Sequence, residues 1–219
     1  MIDQATNNPA EPLLLSLRGQ GRFWHRTPLP SLEAILRHGA IVPNVGQFIG
    51  NSTQSESSYG RCMKAVSLFD FDTSSEKSVL DRALGNLFIR GLSSTVLIGV
   101  ERKGLDPAKL QLPDKVSNGV WLLRLSGHSG HAAGLTHIPE IEALYFGEIP
   151  TSAFSGFYLA AQGGRFFEVP LGANAITILN EKSAEWQADD ERVSAERRDG
   201  GDGSLAEMIS ESYNHRDNS

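Results

Sequence analysis

The chain has 219 residues, 40% of them hydrophobic, which suffices for one domain of ordinary size with a sizeable core. Its formal net charge of -6 excludes a general phosphate-backbone binder, because such proteins neutralise phosphates with Lys and Arg. The single cysteine, Cys62, excludes an internal disulfide and a zinc site built from several cysteines. No apolar run approaches eighteen residues, so we expect no membrane span and a cytoplasmic protein.

The first part of the chain is predicted to run from strand to helix to strand. Residues 1–20 are expected to be a flexible segment. Residues 23–27 form a strand that Pro28 stops, and Ser31 caps a helix that ends before Gly39. A short strand follows at 40–42, and the polar stretch after it predicts a long loop.

The middle of the chain alternates apolar runs with turn residues. β-branched and apolar runs indicate strands, and an apolar face at helical spacing indicates a helix. We therefore predict a helix over 76–90 and strands over 64–71, 95–101, 121–125, 140–146 and 173–179.

The end of the chain is acidic and poor in aliphatic residues. Such a segment buries too little surface to offset its chain entropy, which predicts a disordered tail over 181–219. An alternative is that residues 204–213 form a short amphipathic helix that docks on a partner. The division is thus a flexible segment 1–20, a folded α+β domain 21–180, and an acidic tail.

Two possible reactive sites are set aside. His128 and His131, with His137 nearby, could hold a metal ion, but no carboxylate pattern completes the site, and a polar loop is the preferred interpretation. Cys62 has no obvious local base, which argues against a cysteine nucleophile. We predict no metal site.

The most informative pair is Glu140 and Glu142. Residues two apart in a strand point to the same face, so both carboxylates would lie side by side. One carboxylate could stabilise a developing cation while the other handles a proton or orients a nucleophile. An exposed face of an edge strand is the alternative, and spacing alone favours it.

Four segments share a pattern with a known fold. Phe23-Trp24-His25-Arg26-Thr27 and the helix ending at Gly39 match an aromatic-His-x-Thr strand that leads into a helix. Residues 64–71 and 95–101 match the next two core strands, and 142–150 matches a glutamate-bearing strand with an Ile-Pro exit. Over about residues 22–150 the chain resembles ADP-ribosyltransferase-fold proteins, especially the DarT-like toxins and neighbouring bacterial families. The resemblance implies two small packed β-sheets with short helices and a split core.

The resemblance also implies an NAD-dependent ADP-ribosyltransferase of toxin or defence type, with NAD as its substrate. His25 would hydrogen-bond the adenosine ribose or the diphosphate side of NAD, and Thr27 would support that contact. Tyr59 or Phe69 would stack on the nicotinamide.

The same resemblance makes Glu142 the catalytic glutamate, which binds the nicotinamide-ribose hydroxyl and stabilises the cation formed as nicotinamide leaves. Ser67 would support that glutamate. Glu140 matches the extra acid of the Glu-x-Glu type, which is associated with arginine acceptors. The glycine-rich loop 126–137 would recognise the protein or nucleic-acid acceptor.

The sequence departs from the Glu-x-Glu pattern at two places. That pattern usually accompanies an arginine on the first strand and Ser-Thr-Ser on the second, whereas this chain has His25, flanked by Arg22 and Arg26, and a lone Ser67. Pairing with an acid is the alternative role of Arg26.

Two other functions stay open. One is a non-catalytic nucleotide- or partner-binding module whose acidic tail docks an antitoxin or another protein. The other is a phosphotransferase on RNA ends that uses NAD as acceptor. That reaction would need several cations at one cleft, and the early candidates are Arg22, Arg26, Arg61 and Lys64.

Overall fold

The computed structural model describes residues 11–45, 59–73, 94–113, 141–161 and 164–214. Its α-helices are α1 (Glu11–Leu17), α2 (Leu29–His38), α3 (Tyr59–Cys62) and α4 (Ala175–Asn214). Its strands are β1 (Arg22–Thr27), β2 (Ala40–Ile41), β3 (Val66–Phe69), β4 (Ser94–Glu101), β5 (Leu110–Gln111), β6 (Glu142–Tyr145), β7 (Ile149–Pro150), β8 (Phe154–Ala161) and β9 (Phe166–Val169). Short 3-10 turns lie at Arg102–Gly104, Pro107–Lys109 and Thr151–Ala153.

Seven of the described strands form one sheet, in the order β5-β6-β3-β1-β4-β8-β9, and every neighbouring pair is antiparallel. Strands β2 and β7 form a separate two-stranded sheet. The predicted mixture of helices and strands is confirmed, with one large sheet and one small one. The sheets differ from the two small packed sheets that the resemblance implies.

Strand β1 is attached very differently to its two neighbours. All six of its residues are in register with β4, from Arg22 opposite Glu101 to Thr27 opposite Val96. Toward β3 a single pair is in register, Trp24 opposite Phe69. We call the boundary between β1 and β3 the seam. The ladder between β1 and β3 is therefore limited to Trp24, and we call the rest of this boundary the open part of the seam.

Helix α1 packs on one face of the sheet. Its buried residues Leu13, Leu14 and Leu17 form one cluster with Trp24 and Tyr158. The spacing of these leucines is that of one helix face. Where the sequence predicted a flexible segment over 1–20, the structure has a core helix over residues 11–17. The folded unit thus begins before residue 21.

The predicted strand–helix–strand opening matches β1, α2 and β2, with one change at the helix start. The helix begins at Leu29, after the N-cap Pro28, rather than at Ser31. Gly39 ends it with φ of 86°, a left-handed conformation that favours glycine, and its N–H donates to the Ile35 carbonyl at 2.9 Å.

The C-terminal part of the chain differs most from the sequence prediction. The predicted strand 173–179 is wrong: α4 begins at Ala175, because a short apolar run does not by itself distinguish helix from strand. Strands β8 and β9 occupy a stretch for which the sequence pattern indicated no element. The predicted helix 76–90, strand 121–125 and loop 126–137 lie outside the described residues.

The chain divides after Leu179 into two compact units. The second unit is helical through Asn214, where the sequence predicted a disordered tail. Its described side chains include ion pairs at helical spacing, such as Lys182 with Glu185 at 2.7 Å and Arg192 with Glu196 at 3.1 Å. Pairs of this kind stabilise a helix that buries little apolar surface. Within the described residues, no helix is both long and apolar enough to span a membrane.

Candidate functional site

The candidate site lies on three neighbouring strands, β1, β3 and β6. Phe69 stands opposite Trp24 on one side and opposite Glu142 on the other. Directly opposite residues in antiparallel strands share a face, so Trp24, Phe69 and Glu142 form one row across the sheet. The Glu142 side chain is 3% exposed. A carboxylate is thus buried on the face that also carries the α1 core.

Ser67 lies on the same face as Glu142. It is two residues before Phe69, so its side chain points the same way. Helix α3 covers it: a Cβ added to Gly60 would collide with Ser67 Oγ. The turn that follows holds α3 in place, since Ala65 N–H donates to the Gly60 carbonyl at 2.8 Å. The start of α3, at Tyr59, is thereby brought near Ser67.

His25 spans the open part of the seam. Its Nδ1 lies 3.0 Å from the Ser67 carbonyl oxygen. A carbonyl only accepts, so Nδ1 must carry the proton of this hydrogen bond. Burial lowers the pKa of His25 to about 4, so the ring is neutral at pH 7. The Nε2 atom of that tautomer is then a hydrogen-bond acceptor.

Arg26 is the electrostatic partner of Glu142. It is two residues after Trp24 on β1 and therefore lies on the same face as the row that contains Glu142. Burial lowers the pKa of Arg26, and the attraction of Glu142 opposes that shift. The acid whose charge acts on Arg26 is thus the candidate catalytic residue, and the pairing of the two stays a prediction.

Strand alternation does not place the His25 side chain next to Glu142. His25 follows Trp24 directly, so a regular strand would place it on the opposite face from Glu142. The His25 ring reaches β3 through its hydrogen bond to the Ser67 backbone carbonyl. Arg26 lies on the face of Glu142, whose charge attracts it.

The other residues predicted for the NAD site receive less support from the structure. Thr27 is 4% exposed at the end of β1, and its Oγ1 lies 3.5 Å from the Pro28 carbonyl oxygen. Phe69 is 5% exposed and stacks on Phe71 with ring centroids 6.2 Å apart. The ring thus belongs to the core, and its stacking on nicotinamide stays a prediction. Glu140 lies outside the described residues.

Of the residues at the candidate site, Arg26 has the weakest signal in the sequence. The available signal was its position two residues after Trp24 on a strand that ends in the buried Thr27. A charged residue between buried positions of a central strand needs a buried counter-charge. Nothing local in the sequence names that counter-charge.

In the part of the chain that the structure describes, no group of three or more His, Cys, Asp or Glu side chains could hold a metal ion. Comparison of the sequence with protein-family models and with curated proteins gives no match.

Proposed function

We propose that the protein is an NAD-dependent ADP-ribosyltransferase of toxin or defence type, acting in the cytoplasm through Glu142. The observation that carries this proposal is the order of the strands. The His25, Ser67 and Glu142 strands are direct neighbours, β1-β3-β6, although 140–146 and 23–27 are far apart in sequence. The sequence resemblance requires these three residues to share one site.

In this proposal NAD lies at the seam. The alternation of β1, which is paired with β4 over its whole length, puts the His25 side chain on the face opposite Glu142. NAD would therefore have to reach both faces at the seam, and the split core that the resemblance implies stays part of the proposal.

The protonation of His25 favours one of its two proposed contacts. Diphosphate oxygens accept hydrogen bonds and cannot donate them, whereas a ribose hydroxyl can donate. A neutral ring with Nδ1–H bound to the Ser67 carbonyl presents Nε2 as an acceptor. His25 therefore suits the adenosine ribose better than the diphosphate.

In the proposed reaction the bond between nicotinamide and ribose C1′ breaks, and the electron pair leaves with nicotinamide. The Glu142 carboxylate stabilises the oxocarbenium-like cation, as carboxylates do in glycoside cleavage. A nucleophile of the protein or nucleic-acid acceptor then attacks C1′ and loses its proton. Ser67, on the same face, would support Glu142.

The test is transfer of label from NAD, together with release of nicotinamide. We expect the wild-type protein to be active and Glu142→Gln to be inactive. Glu148→Gln is the matched control, because Glu148 is an exposed glutamate six residues away. His25→Gln should weaken NAD binding, whereas His38→Gln, at an exposed histidine, should not. Equal activity of wild type and Glu142→Gln would refute the role of Glu142.

A second candidate is a non-catalytic nucleotide-binding module. The observation that favours it is the attraction between Arg26 and Glu142, since a carboxylate that already has a cation on its face of the sheet is a weaker stabiliser of a second one. Calorimetric binding of NAD without nicotinamide release, over the full acceptor panel, would favour this candidate. The acidic tail would then dock an antitoxin or another partner protein.

A further inference from the structure

Arg26 and Glu142 lie on the same face of the sheet, on the two strands that flank β3. They are two strands apart, roughly 10 Å in the hydrogen-bonding direction, and Arg26 is offset from the row of Glu142 by two residues, roughly 7 Å along the strand. Such a separation is within the combined reach of a long arginine and a glutamate side chain. On β3 the same-face residues between them are Phe69 and the small Ser67.

The burial of Glu142 makes such a partner necessary. A carboxylate that is 3% exposed pays a large desolvation penalty unless a cation or hydrogen bonds compensate it. Arg26 supplies attraction of the required sign. Because the guanidinium group of arginine is planar and remains charged, it also fixes the orientation of a bound carboxylate.

The same contact argues against another role for Arg26. Arg26 is half-buried, and the charge of Glu142 attracts it. Its neighbour on the same strand face, Arg22, is engaged with Glu101 at 3.4 Å.

We infer that Arg26 is a positioning residue that holds the Glu142 carboxylate at the seam, and that it does not bind the NAD diphosphate. This inference rests on the proposed function for its catalytic consequence. Arg26 acts through Glu142 and touches no reacting atom. Its removal therefore misplaces the carboxylate without removing a contact to NAD.

The kinetic test separates positioning from phosphate binding. Arg26→Met should lower kcat about a hundredfold, which is the typical effect of misplacing a catalytic group by about 1 Å, while KM for NAD changes little. Arg26→Lys should recover much of that loss, because it restores the charge. Arg22→Met is the matched control and should retain wild-type kcat. A raised KM with unchanged kcat in Arg26→Met would overturn the inference in favour of diphosphate binding.

A second measurement requires no activity. The denaturation midpoints of Arg26→Met, Glu142→Gln and the double variant form a double-mutant cycle. We expect Arg26→Met to lower the midpoint in the wild-type background and to have a much smaller effect in Glu142→Gln. Additive effects would overturn the inference. If wild type shows no label transfer, the proposed function fails, and the cycle still decides whether Arg26 holds Glu142.

Discussion

The two sides of strand β1 differ in what holds them to the rest of the sheet. On the β4 side the backbone ladder extends over all six residues of β1. On the β3 side one pair, Trp24 with Phe69, is in register, and beyond it the His25 ring bonds the Ser67 carbonyl. The boundary with β4, the closed side, is held by backbone hydrogen bonds. The boundary with β3, the open side, is held mainly by side chains.

This difference explains why the candidate chemistry collects on one side. Buried backbone polar groups need partners, and a regular ladder uses the backbone of each strand for its neighbour. Where the ladder stops, side chains form hydrogen bonds with the buried backbone groups, and these side chains carry reactive groups. His25 and Arg26 lie on the strand at this boundary, while the β4 side of the same strand carries buried apolar residues of the core.

The largest expected effect is at Trp24, where the two sides meet. The indole is fully buried, contacts Tyr158 edge-on with centroids 5.1 Å apart, and donates from Nε1 to the Leu17 carbonyl at 3.0 Å. Trp24→Ala should lower the free energy of unfolding by about 3–5 kcal/mol, because the cavity cannot collapse fully. Denaturant unfolding followed by circular dichroism measures it.

The conservative variant Trp24→Phe separates packing from hydrogen bonding. It keeps an aromatic ring but leaves the Leu17 carbonyl without its indole donor, so a loss of about 1 kcal/mol is expected. Equal losses of unfolding free energy in Trp24→Ala and Trp24→Phe would mean that the aromatic ring does not anchor the end of the seam.

The open side should be sensitive to pH through His25. The unfolded histidine binds a proton near pH 6.5, whereas burial lowers the folded pKa to about 4. Between these values the unfolded state binds more protons, so stability falls as pH falls, by at most about 1.36 kcal/mol per unit. Unfolding at pH 7.5 and pH 5 measures this slope.

His25→Gln should show a shallower loss between those two pH values, because it removes the titrating ring. His38→Gln, at an exposed histidine, should keep the wild-type slope. If His25→Gln and wild type lose stability equally, the ring is not buried across the seam.

Sequence patterns located the strands of the site but not their arrangement. The predicted strands 64–71 and 140–146 contain β3 and β6, and 95–101 covers β4 except for Ser94, because runs of strand-forming residues are local signals. The pairing of β1 with both β3 and β4 is long-range, and no local pattern encodes it. The same limit applies to Arg26, since its partner Glu142 lies on a strand that follows in sequence only after β4 and β5.

Two predictions show what local patterns leave out. Phe69 was predicted to stack on nicotinamide, and its row with Trp24, which local patterns do not encode, places it in the α1 core. The acidic tail was expected to be disordered because of its composition, which counts charges without their spacing. The pairs Arg192 with Asp189 and Arg192 with Glu196 lie at helical spacing and contribute to the observed helix.

A smaller effect is expected where α3 covers the open side. A Cβ at residue 60 collides with Ser67 Oγ and approaches the Ala65 carbonyl oxygen to 3.2 Å. Gly60→Ala should cost about 1 kcal/mol, at the low end of overpacking, because the serine hydroxyl can rotate. In a Ser67→Gly background the same substitution should cost less. An undiminished cost there would show that Ser67 does not contact α3.

The smallest effect is expected next to the closed side, at the register shift in the ladder between β4 and β8. The register between β4 and β8 shifts between Gly99 and Val100, and Ser155 is the residue on β8 that has no opposite partner there. Among the described residues its buried Oγ has no hydrogen-bond partner. A buried hydroxyl in that state contributes little, so Ser155→Ala should leave the free energy of unfolding unchanged or raise it by a few tenths of a kcal/mol. A loss above about 1 kcal/mol, measured by denaturant unfolding, would mean that the hydroxyl is satisfied and that the closed side also depends on a side chain.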